Sequence, residues 1–331
     1  TNVNLGFEPQ WLLIKKYSTD QSWQLFDNMR GLVSAYDGDS IYSRVLNPNT
    51  TGVESNLQAA PLANGFAIDA NNWGTGDYAY MAIARSHKPA SEFAATDLFT
   101  PTANPNNSSK PYWTAGHVID TFWQKNTTSG GWYVGDRLRQ GRELQFNSTA
   151  AEGGASNHQF DYQTGVGDGA SGSNAFRWLF RRAKGFFDVV AYTGDGTSTS
   201  FSHNLGATPE LKIIKIRTDS FGWLVGGSAL TGGTTDYQMY LNTTAAKANT
   251  NYWGAVDSAS AFSVVASNFL SNANGQDYLA YLFASVDGIS KVGTYTGSGS
   301  TQTIDCGFSS GARFVLIKNT SSSANWFLWD S

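Results

Sequence analysis

The stretch Leu211-Lys212-Ile213-Ile214-Lys215, followed eight residues later by Trp223, decides how this chain is built, because it recurs. Similar apolar runs that end in Lys and lead to a Trp occupy residues 11–15 before Trp23, 122–125 before Trp132 and 314–318 before Trp326. The four Trp positions are separated by 109, 91 and 103 residues. Since a unit of this length can bury a core of its own, the repeat predicts tandem domains.

Each copy of the repeat has the pattern of a β-hairpin. A polar loop follows the apolar run, and a second run then alternates from its Trp, as in Trp223 with Val225 and Trp23 with Leu25. A spacing of two places both side chains of such a pair on one face of a strand. The first three units also close on an aromatic strand that is apolar on both faces, which is typical of a central strand in a layered packing. These closing strands occupy residues 78–83, 176–180 and 278–283.

Short strands, polar turns and the lack of a helical period predict an all-β protein made of tandem β-sandwich units of about 100 residues. We place unit 1 at residues 1–100, the divergent and basic unit 2 at 101–185, unit 3 at 186–288 and a partial unit 4 at 289–331. Unit 1 lacks the opening strand that units 3 and 4 possess. Residues 89–111, rich in Pro and Asn, are expected to link units 1 and 2. The half unit at the end is expected to be completed by more of a longer polypeptide or by another chain.

Composition excludes several classes of protein. The 331 residues are 40% hydrophobic and only 15% charged, and the net charge of −4 argues against a nucleic acid or an anionic membrane as partner. A single cysteine, Cys306, leaves no disulfide framework within the chain. No apolar run is long enough to insert into a bilayer, and no signal peptide is evident.

The first unit carries the most specific motif. Residues 5–15 read Leu-Gly-Phe-Glu-Pro-Gln-Trp-Leu-Leu-Ile-Lys, residues 22–27 read Ser-Trp-Gln-Leu-Phe-Asp, and Asn64-Gly65-Phe66 precedes the closing strand. This pattern resembles a repeat of large virion proteins of marine and cyanobacterial phages. The third and fourth units match in part, retaining Gly206 and Gly307, whereas unit 2 has Trp113-Thr114-Ala115-Gly116 where the Gly-Phe turn belongs.

The resemblance implies jelly-roll sandwiches of the concanavalin-A-like lectin type in a tail fibre or similar appendage. It also implies a virion location, other virion subunits as partners, host-surface glycan binding, and a homo-oligomer, a trimer being usual for such fibres. A spacer or head decoration without a ligand fits the same setting. A secreted bacterial adhesin and a polysaccharide-degrading tailspike-type enzyme are the alternatives from other classes.

Catalytic and metal-binding signals are weak, so we expect a non-enzymatic protein without a cofactor. The four His show no metal-ligand spacing, and no nucleophile elbow is present. Asp161 with Asp168, or Asp37 with Asp39, could serve as the paired carboxylates of a glycosidase. Asp37 and Asp39 could instead hold Ca²⁺. The same sequence pattern is also typical of turn residues that only make a loop soluble.

Glycan binding requires aromatic faces and polar or charged groups beside them. Trp73, Trp113 and Trp253, with Tyr252, lie in polar loops and are candidates for stacking on sugars, unless they fold back onto their own sandwich. Arg181 and Arg182 are candidates for an acidic sugar or phosphate, since unit 2 is locally basic. The same basic residues could form a solvated face or contact acidic parts of neighbouring subunits.

Overall fold

The computed structural model describes residues 1–34, 42–103, 105, 108–128, 130–153, 158–167, 174–231, 237–250, 252–254, 256–266 and 268–331. Regular structure in these residues is nearly all β, in small antiparallel sheets. Helical structure amounts to α1 (Ala70–Trp73), α2 (Ser228–Thr231) and the 3₁₀ turns Ala90–Glu92 and Ala95–Asp97. The predicted all-β sandwich class is therefore confirmed.

Unit 1 is a small sandwich. Its strands are β1 (Asn2–Asn4), β2 (Pro9–Lys16), β3 (Gln24–Asp27), β4 (Ser43–Val45), β5 (Ser55–Leu57), β6 (Ala59–Leu62), β7 (Gly65–Ile68) and β8 (Tyr78–Ala84). One sheet has the order β3-β2-β8, a second has the order β1-β7-β6, and β4 pairs with β5. Leu12, Ile14 and Phe26 of the first sheet pack with Phe66 of the second, and Trp73 closes the same core.

Unit 2 is built on a five-stranded sheet. Its strands are β9 (Phe99–Ala103), β10 (Trp113–Thr114), β11 (Thr121–Asn126), β12 (Trp132–Asp136), β13 (Leu144–Gln145), β14 (Gly165–Val166) and β15 (Ala175–Phe180). The sheet order is β13-β12-β11-β15-β9, and the β10-β14 pair lies over one face. Phe122 and Leu179 of the sheet share a buried cluster there with Trp113 and Val166.

Unit 3 has the largest sheet, and unit 4 is a single hairpin. The strands are β16 (Phe187–Thr193), β17 (Thr199–Ser202), β18 (Leu211–Ile216), β19 (Leu224–Gly226), β20 (Tyr237–Tyr240), β21 (Ala248–Asn249), β22 (Ala261–Val264), β23 (Asp277–Phe283), and in unit 4 β24 (Phe314–Lys318) and β25 (Trp326–Asp330). The six-stranded order is β16-β23-β18-β19-β20-β21. The β17-β22 pair covers one face, where Phe262 and Val264 meet Ile214 and Tyr278.

A glycine turn marks the start of every repeat. Gly6, Gly116, Gly206 and Gly307 have φ of 76°, 71°, 69° and 74°. This left-handed conformation is one that only glycine adopts without a steric penalty. In the first three units the glycine lies nine residues before the repeat Lys. The divergent opening of unit 2 thus keeps the turn at Gly116.

The Lys-to-Trp signature closes the hairpin. In every repeat the Lys ammonium donates a hydrogen bond to a carbonyl of the loop that it precedes, pairing Lys15 with Gln21, Lys125 with Gly130, Lys215 with Asp219 and Lys318 with Ala324. The backbone N–H of the Trp in units 1 to 3 donates to an Asn Oδ1 from the next shared element, at 2.9 Å for Asn49, 2.8 Å for Asn147 and 2.9 Å for Asn242. These polar groups satisfy loop atoms that the apolar strands cannot.

The sheets of units 2 and 3 and the hairpin of unit 4 share one aromatic core. The Trp123 ring of unit 2 lies 6.1 Å from Phe283 of unit 3 and 5.9 Å from Phe314 of unit 4, measured between centroids. Phe146 contacts Trp223 in the same way at 4.8 Å. Each of the two large sheets is therefore covered on both faces, by its own strand pair and by the other sheet. This position explains why the closing strands are apolar on both faces.

The segment expected to be a linker is largely structured. Residues 89–111 contain both 3₁₀ turns and β9, which pairs with β15 of unit 2 from Phe99 to Ala103. The linker prediction, which rested on the Pro and Asn content of the segment, was wrong here because a proline such as Pro101 is tolerated on an edge strand such as β9. The strand also straddles the boundary that we placed at residue 100. The four-unit division stays a prediction, since the described sheets follow the repeats but units 2 to 4 share a core.

Removing the Trp223 ring should destabilise the protein far more than removing its repeat counterpart Trp23. Trp223 is fully buried, whereas Trp23 is 39% exposed. A large-to-small change in a packed core costs about 3–5 kcal/mol. We expect Trp223→Ala to lower the free energy of unfolding by about that amount in denaturant titrations, and Trp23→Ala by less than half as much. Equal losses of unfolding free energy would contradict the conclusion that Trp223 lies in the shared core.

Candidate anion-binding site

A pocket of about 330 Å³ lies between units 1 and 2. Most of its wall is made by residues that follow β3, β8, β12 and β15 or precede β11, so strand ends from both units converge there, and Gln10 of β2 completes it together with Phe93 and Gln163. Five of the lining side chains are cationic, and Asp120 is the carboxylate among them. The lining residues are Gln10, Asn28, Met29, Arg85, Ser86, Lys88, Phe93, Val118, Asp120, Arg137, Gln163, Arg181 and Arg182.

Asp120 is the buried carboxylate that the arginines of the pocket contact. Both of its carboxylate oxygens accept hydrogen bonds from Arg85 Nη2 at 2.8 Å. The backbone N–H of Arg182 donates to Asp120 Oδ2 at 2.7 Å, and Arg137 Nε lies 3.6 Å from Oδ1. Asp120 is 1% exposed. Three arginines are thereby fixed around one buried carboxylate, and Lys88 and Arg181 add further positive charge to the pocket wall.

Arg182 joins three units through buried ion pairs. Its guanidinium forms a bidentate pair with Glu8 of unit 1, at 2.9 and 2.6 Å. The same Nη1 lies 3.3 Å from Asp188 Oδ1 of unit 3 and donates to the carbonyl of Val189 at 3.0 Å. Burial raises the pKa of Glu8 to about 7, and Arg85 and His87 act against that rise. Arg182 is therefore a structural cation.

Arg181 has no carboxylate partner in the described residues, and Arg137 has only the longer contact with Asp120. Arg137 donates to the carbonyls of Ile119, at 2.7 Å, and of Phe160. Burial lowers the pKa of Arg137 to about 10, against the effect of Asp120, so its side chain is protonated at neutral pH. The Arg181 guanidinium lies over the Phe93 ring, 4.4 Å from its centroid. Such stacking orients a guanidinium while leaving its N–H donors free for a ligand.

The predicted stacking residues are not available to a sugar. Trp73, Trp113 and Trp253 are 2%, 0% and 2% exposed, so the expectation of exposed loop Trp was wrong. Trp73 Nε1 donates to the Gln58 carbonyl at 2.6 Å and Trp253 Nε1 to the Tyr237 carbonyl at 3.1 Å. In Trp73 and Trp253 the indole N–H finds a partner inside, which lets a polar-flanked Trp fold back into its own core. Trp113 is held in the unit 2 cluster, where the Arg177 guanidinium lies 4.4 Å from its ring centroid. Tyr252 packs beside Trp253 in the unit 3 core.

The basic character of unit 2 is mostly internal. Arg137, Arg139, Arg142, Arg177 and Arg182 are each at most 9% exposed. A solvated face was therefore wrong for these five residues, of which Arg137 and Arg182 still line the pocket. Arg181 is partly exposed and Lys184 exposed. Of the two predicted glycan-binding arginines, both line the pocket, but only Arg181 stands outside the buried ion pairs.

Sequence reasoning missed Arg85, Lys88 and Phe93. The register of β8 against β2 makes Ile83 the counterpart of Phe180 in unit 2. Arg85 is consequently the repeat counterpart of Arg182. Aligning the repeats at this position would have identified Arg85 from the sequence.

The two candidate carboxylate pairs stay a prediction. Asp37, Asp39 and Asp168 lie outside the described residues, and Asp161 is exposed. Among the described residues, no group of three or more His, Cys, Asp and Glu is placed to hold a metal ion. In the same part of the chain, no helix is long and apolar enough to cross a membrane.

A second charge cluster, fully buried, ties units 2 and 3 together. Arg139 pairs with Asp136 at 2.6 Å and with Glu152 at 3.2 Å, and Arg217 of unit 3 holds Glu152 through two bonds of 2.9 and 3.0 Å. The Tyr281 hydroxyl donates to Asp136 Oδ2 at 2.9 Å. Burial would raise the pKa of Glu152, but Arg217 and Arg139 outweigh it and hold that pKa below its ordinary value of 4.5.

The fold and its repeats define a modular all-β protein of stacked sandwiches. The chain belongs to the family of the domain of unknown function DUF7483, whose sequence profile matches residues 1–87 and 181–331. The matched parts cover most of unit 1 and all of units 3 and 4, and the segment between them coincides with most of unit 2. The pocket is thus lined from inside and outside the matched segments. Neither the curated proteins nor the solved structures gave a match to the chain.

Neighbouring arginines should behave differently when their charge is removed. Arg182→Met leaves Glu8 and Asp188 buried without their cation, and breaking a buried pair in this way costs about 3–5 kcal/mol. Arg181→Met retains the contact with Phe93 and should change the free energy of unfolding by less than about 0.5 kcal/mol. Thermal and urea unfolding of both variants checks this. Equal losses would show that Arg181 is also structural.

Acid should weaken the contact between units 2 and 3 through Glu152. Because the pKa of this carboxyl is lowered by folding, its contribution to stability is complete above about pH 4.5 and is lost as the pH falls through the folded pKa. We expect the stability gap between wild type and Glu152→Gln to narrow between pH 6 and pH 3 in denaturant titrations. Glu92→Gln, which changes an exposed carboxylate, is the control. A gap that stays constant would contradict the assignment.

Proposed function

We propose that this protein is a non-enzymatic structural component of a virion appendage such as a tail fibre, and that it binds an acidic group of a host-surface glycan in the pocket between units 1 and 2. The appendage setting rests on the resemblance of the repeat. Ligand binding rests on one observation of the structure, namely that five cationic side chains and one carboxylate line the pocket.

The charge of the pocket contrasts with that of the whole chain. The lining has five cations and Asp120, and when Glu8 and Asp188, the carboxylates that pair with Arg182, are also counted the formal charge is +2, whereas the chain carries −4. A local cationic site in an acidic protein attracts a small anionic group more readily than a polyanion such as nucleic acid. Arginine suits a carboxylate or a phosphate because its planar donors can form two parallel hydrogen bonds.

The other lining groups fit a sugar ring. Gln10, Asn28 and Gln163 offer amide donors and acceptors, and Met29 and Val118 offer apolar surface. Ligand sites commonly combine a mostly preformed pocket of about 300–1,000 Å³ with a few polar groups that fix orientation. A pocket at the low end of that range has room for one or two sugar residues. An acidic saccharide therefore matches the site in size and in chemistry.

Binding can be tested with a glucuronic-acid oligosaccharide and its neutral glucose counterpart. We expect the acidic ligand to bind, the neutral one to bind much more weakly, and added salt to reduce the affinity. Arg181→Ala should weaken binding about tenfold or more, since a hydrogen bond to a charged group contributes roughly 1.5–3 kcal/mol. Lys184→Ala removes the same charge nearby but outside the pocket and should leave the affinity unchanged.

Two results would contradict the proposal. One is equal affinity for the acidic and neutral ligands by calorimetry. The other is release of new reducing ends from the oligosaccharide, which would favour the polysaccharide-degrading alternative. The appendage setting is tested separately by antibody labelling of particles in electron micrographs, where label restricted to heads would favour a decoration protein.

A further inference from the structure

The outer face of the unit 1 sheet is apolar and uncovered. Trp11 and Leu13 of β2 lie beside Leu25 of β3 and beside Met81 and Ile83 of β8, as the strand registers require. Met81 and Ile83 are 56% and 43% exposed, and Trp23, at the start of the same face, is 39% exposed. We refer to these six residues as the unit 1 outer face. Soluble proteins seldom leave a contiguous patch of this kind in water without a partner.

The repeat shows what covers this face elsewhere in the chain. In unit 2 the counterparts of Leu13, Met81 and Ile83 are Trp123, Trp178 and Phe180, as the registers of β11 with β15 and of β2 with β8 show. In unit 3 the same three positions are Ile213, Tyr281 and Phe283. All six of these counterparts belong to the core that units 2, 3 and 4 share.

Unit 4 uses the same face in the same way. Phe314, Leu316, Trp326 and Leu328 correspond to Trp11, Leu13, Trp23 and Leu25, and all four pack against the shared core. Among the described residues, three of the four copies of this face are therefore buried against one another, and the copy in unit 1 remains exposed. An equivalent face of another unit is the partner that this chain provides for such a surface.

We propose that the unit 1 outer face binds the unit 1 outer face of a second copy of this chain, forming a two-fold dimer. The packing of the unit 2 sheet on the unit 3 sheet is the internal precedent for this contact. A two-fold interface needs a self-complementary surface, and an apolar centre that carries no charge on any of its six residues satisfies that requirement. Lys15 and Asp27, which follow on the same side of β2 and β3, supply opposite charges at the rim.

The oligomeric state of the full chain tests the proposal. Wild type at tens of micromolar should have the mass of a dimer in sedimentation velocity and light scattering. Met81→Lys places a charge in the centre of the face, on a side chain that is already exposed, and should shift the protein to monomer without changing its melting temperature at high dilution. Val53→Lys changes another exposed apolar residue of unit 1, at 90% exposure, and should leave the dimer intact.

A second measurement identifies the surface through which the two copies associate. In a Cys306→Ser background, which removes the only native cysteine, Met81→Cys should form a disulfide-linked dimer on mild oxidation, and Val53→Cys should not. A monomeric wild type would overturn the proposal and leave the face to a different partner. A dimer or trimer that Met81→Lys does not dissociate, or that does not crosslink through Met81→Cys, would also overturn it, since association would then use another surface.

Discussion

The packing of equivalent sheet faces against one another is the constraint on which the rest of the structure depends. Each unit presents a face centred on one residue of its apolar run, Trp123 in unit 2, Ile213 in unit 3 and Leu316 in unit 4, and these three faces meet in one aromatic core. Burial of aromatic side chains supplies the main stabilising free energy. The buried cluster around Arg139 and Glu152 adds directional contacts at the same boundary. The repeats therefore do not fold as independent domains, although each keeps its own hairpin and units 1 to 3 each keep a second layer.

Much of the fold could be predicted because it is local. Alternation from Trp223 gave the strand faces, and the Lys-to-Trp spacing located every hairpin. The structure adds the physical reason, since Lys125 holds a loop carbonyl and Asn147 holds the Trp132 amide. The use of the faces could not be predicted, because an apolar pattern shows that a surface is buried and not what buries it. Units 1 and 3 have similar patterns there, yet one face is exposed and the other is in the core.

The candidate site was predicted only in part, for an equally physical reason. Polar neighbours suggested that Trp73 is exposed, but a single hydrogen bond from its indole N–H allows the ring to turn inward. The charge of unit 2 suggested a surface patch, but Arg182 is paired with Asp188, six residues further on in unit 3, and with Glu8, which lies 174 residues away in unit 1. Long-range ion pairs leave no local signature. What remains for a ligand is the excess of positive charge at the strand ends where units 1 and 2 meet, with Arg181 stacked on Phe93.

The central claim is that units 2, 3 and 4 form one cooperative structure around the shared core. Hydrogen exchange of the intact protein tests it most directly, because amides that open only in the same unfolding event share one free energy of opening. The account predicts equal opening free energies for the central amides of β11 in unit 2 and β18 in unit 3, and equal sensitivity of both strands to denaturant. If β11 exchanged through a separate opening of lower free energy while β18 stayed protected, the units would be independent and the account would be wrong.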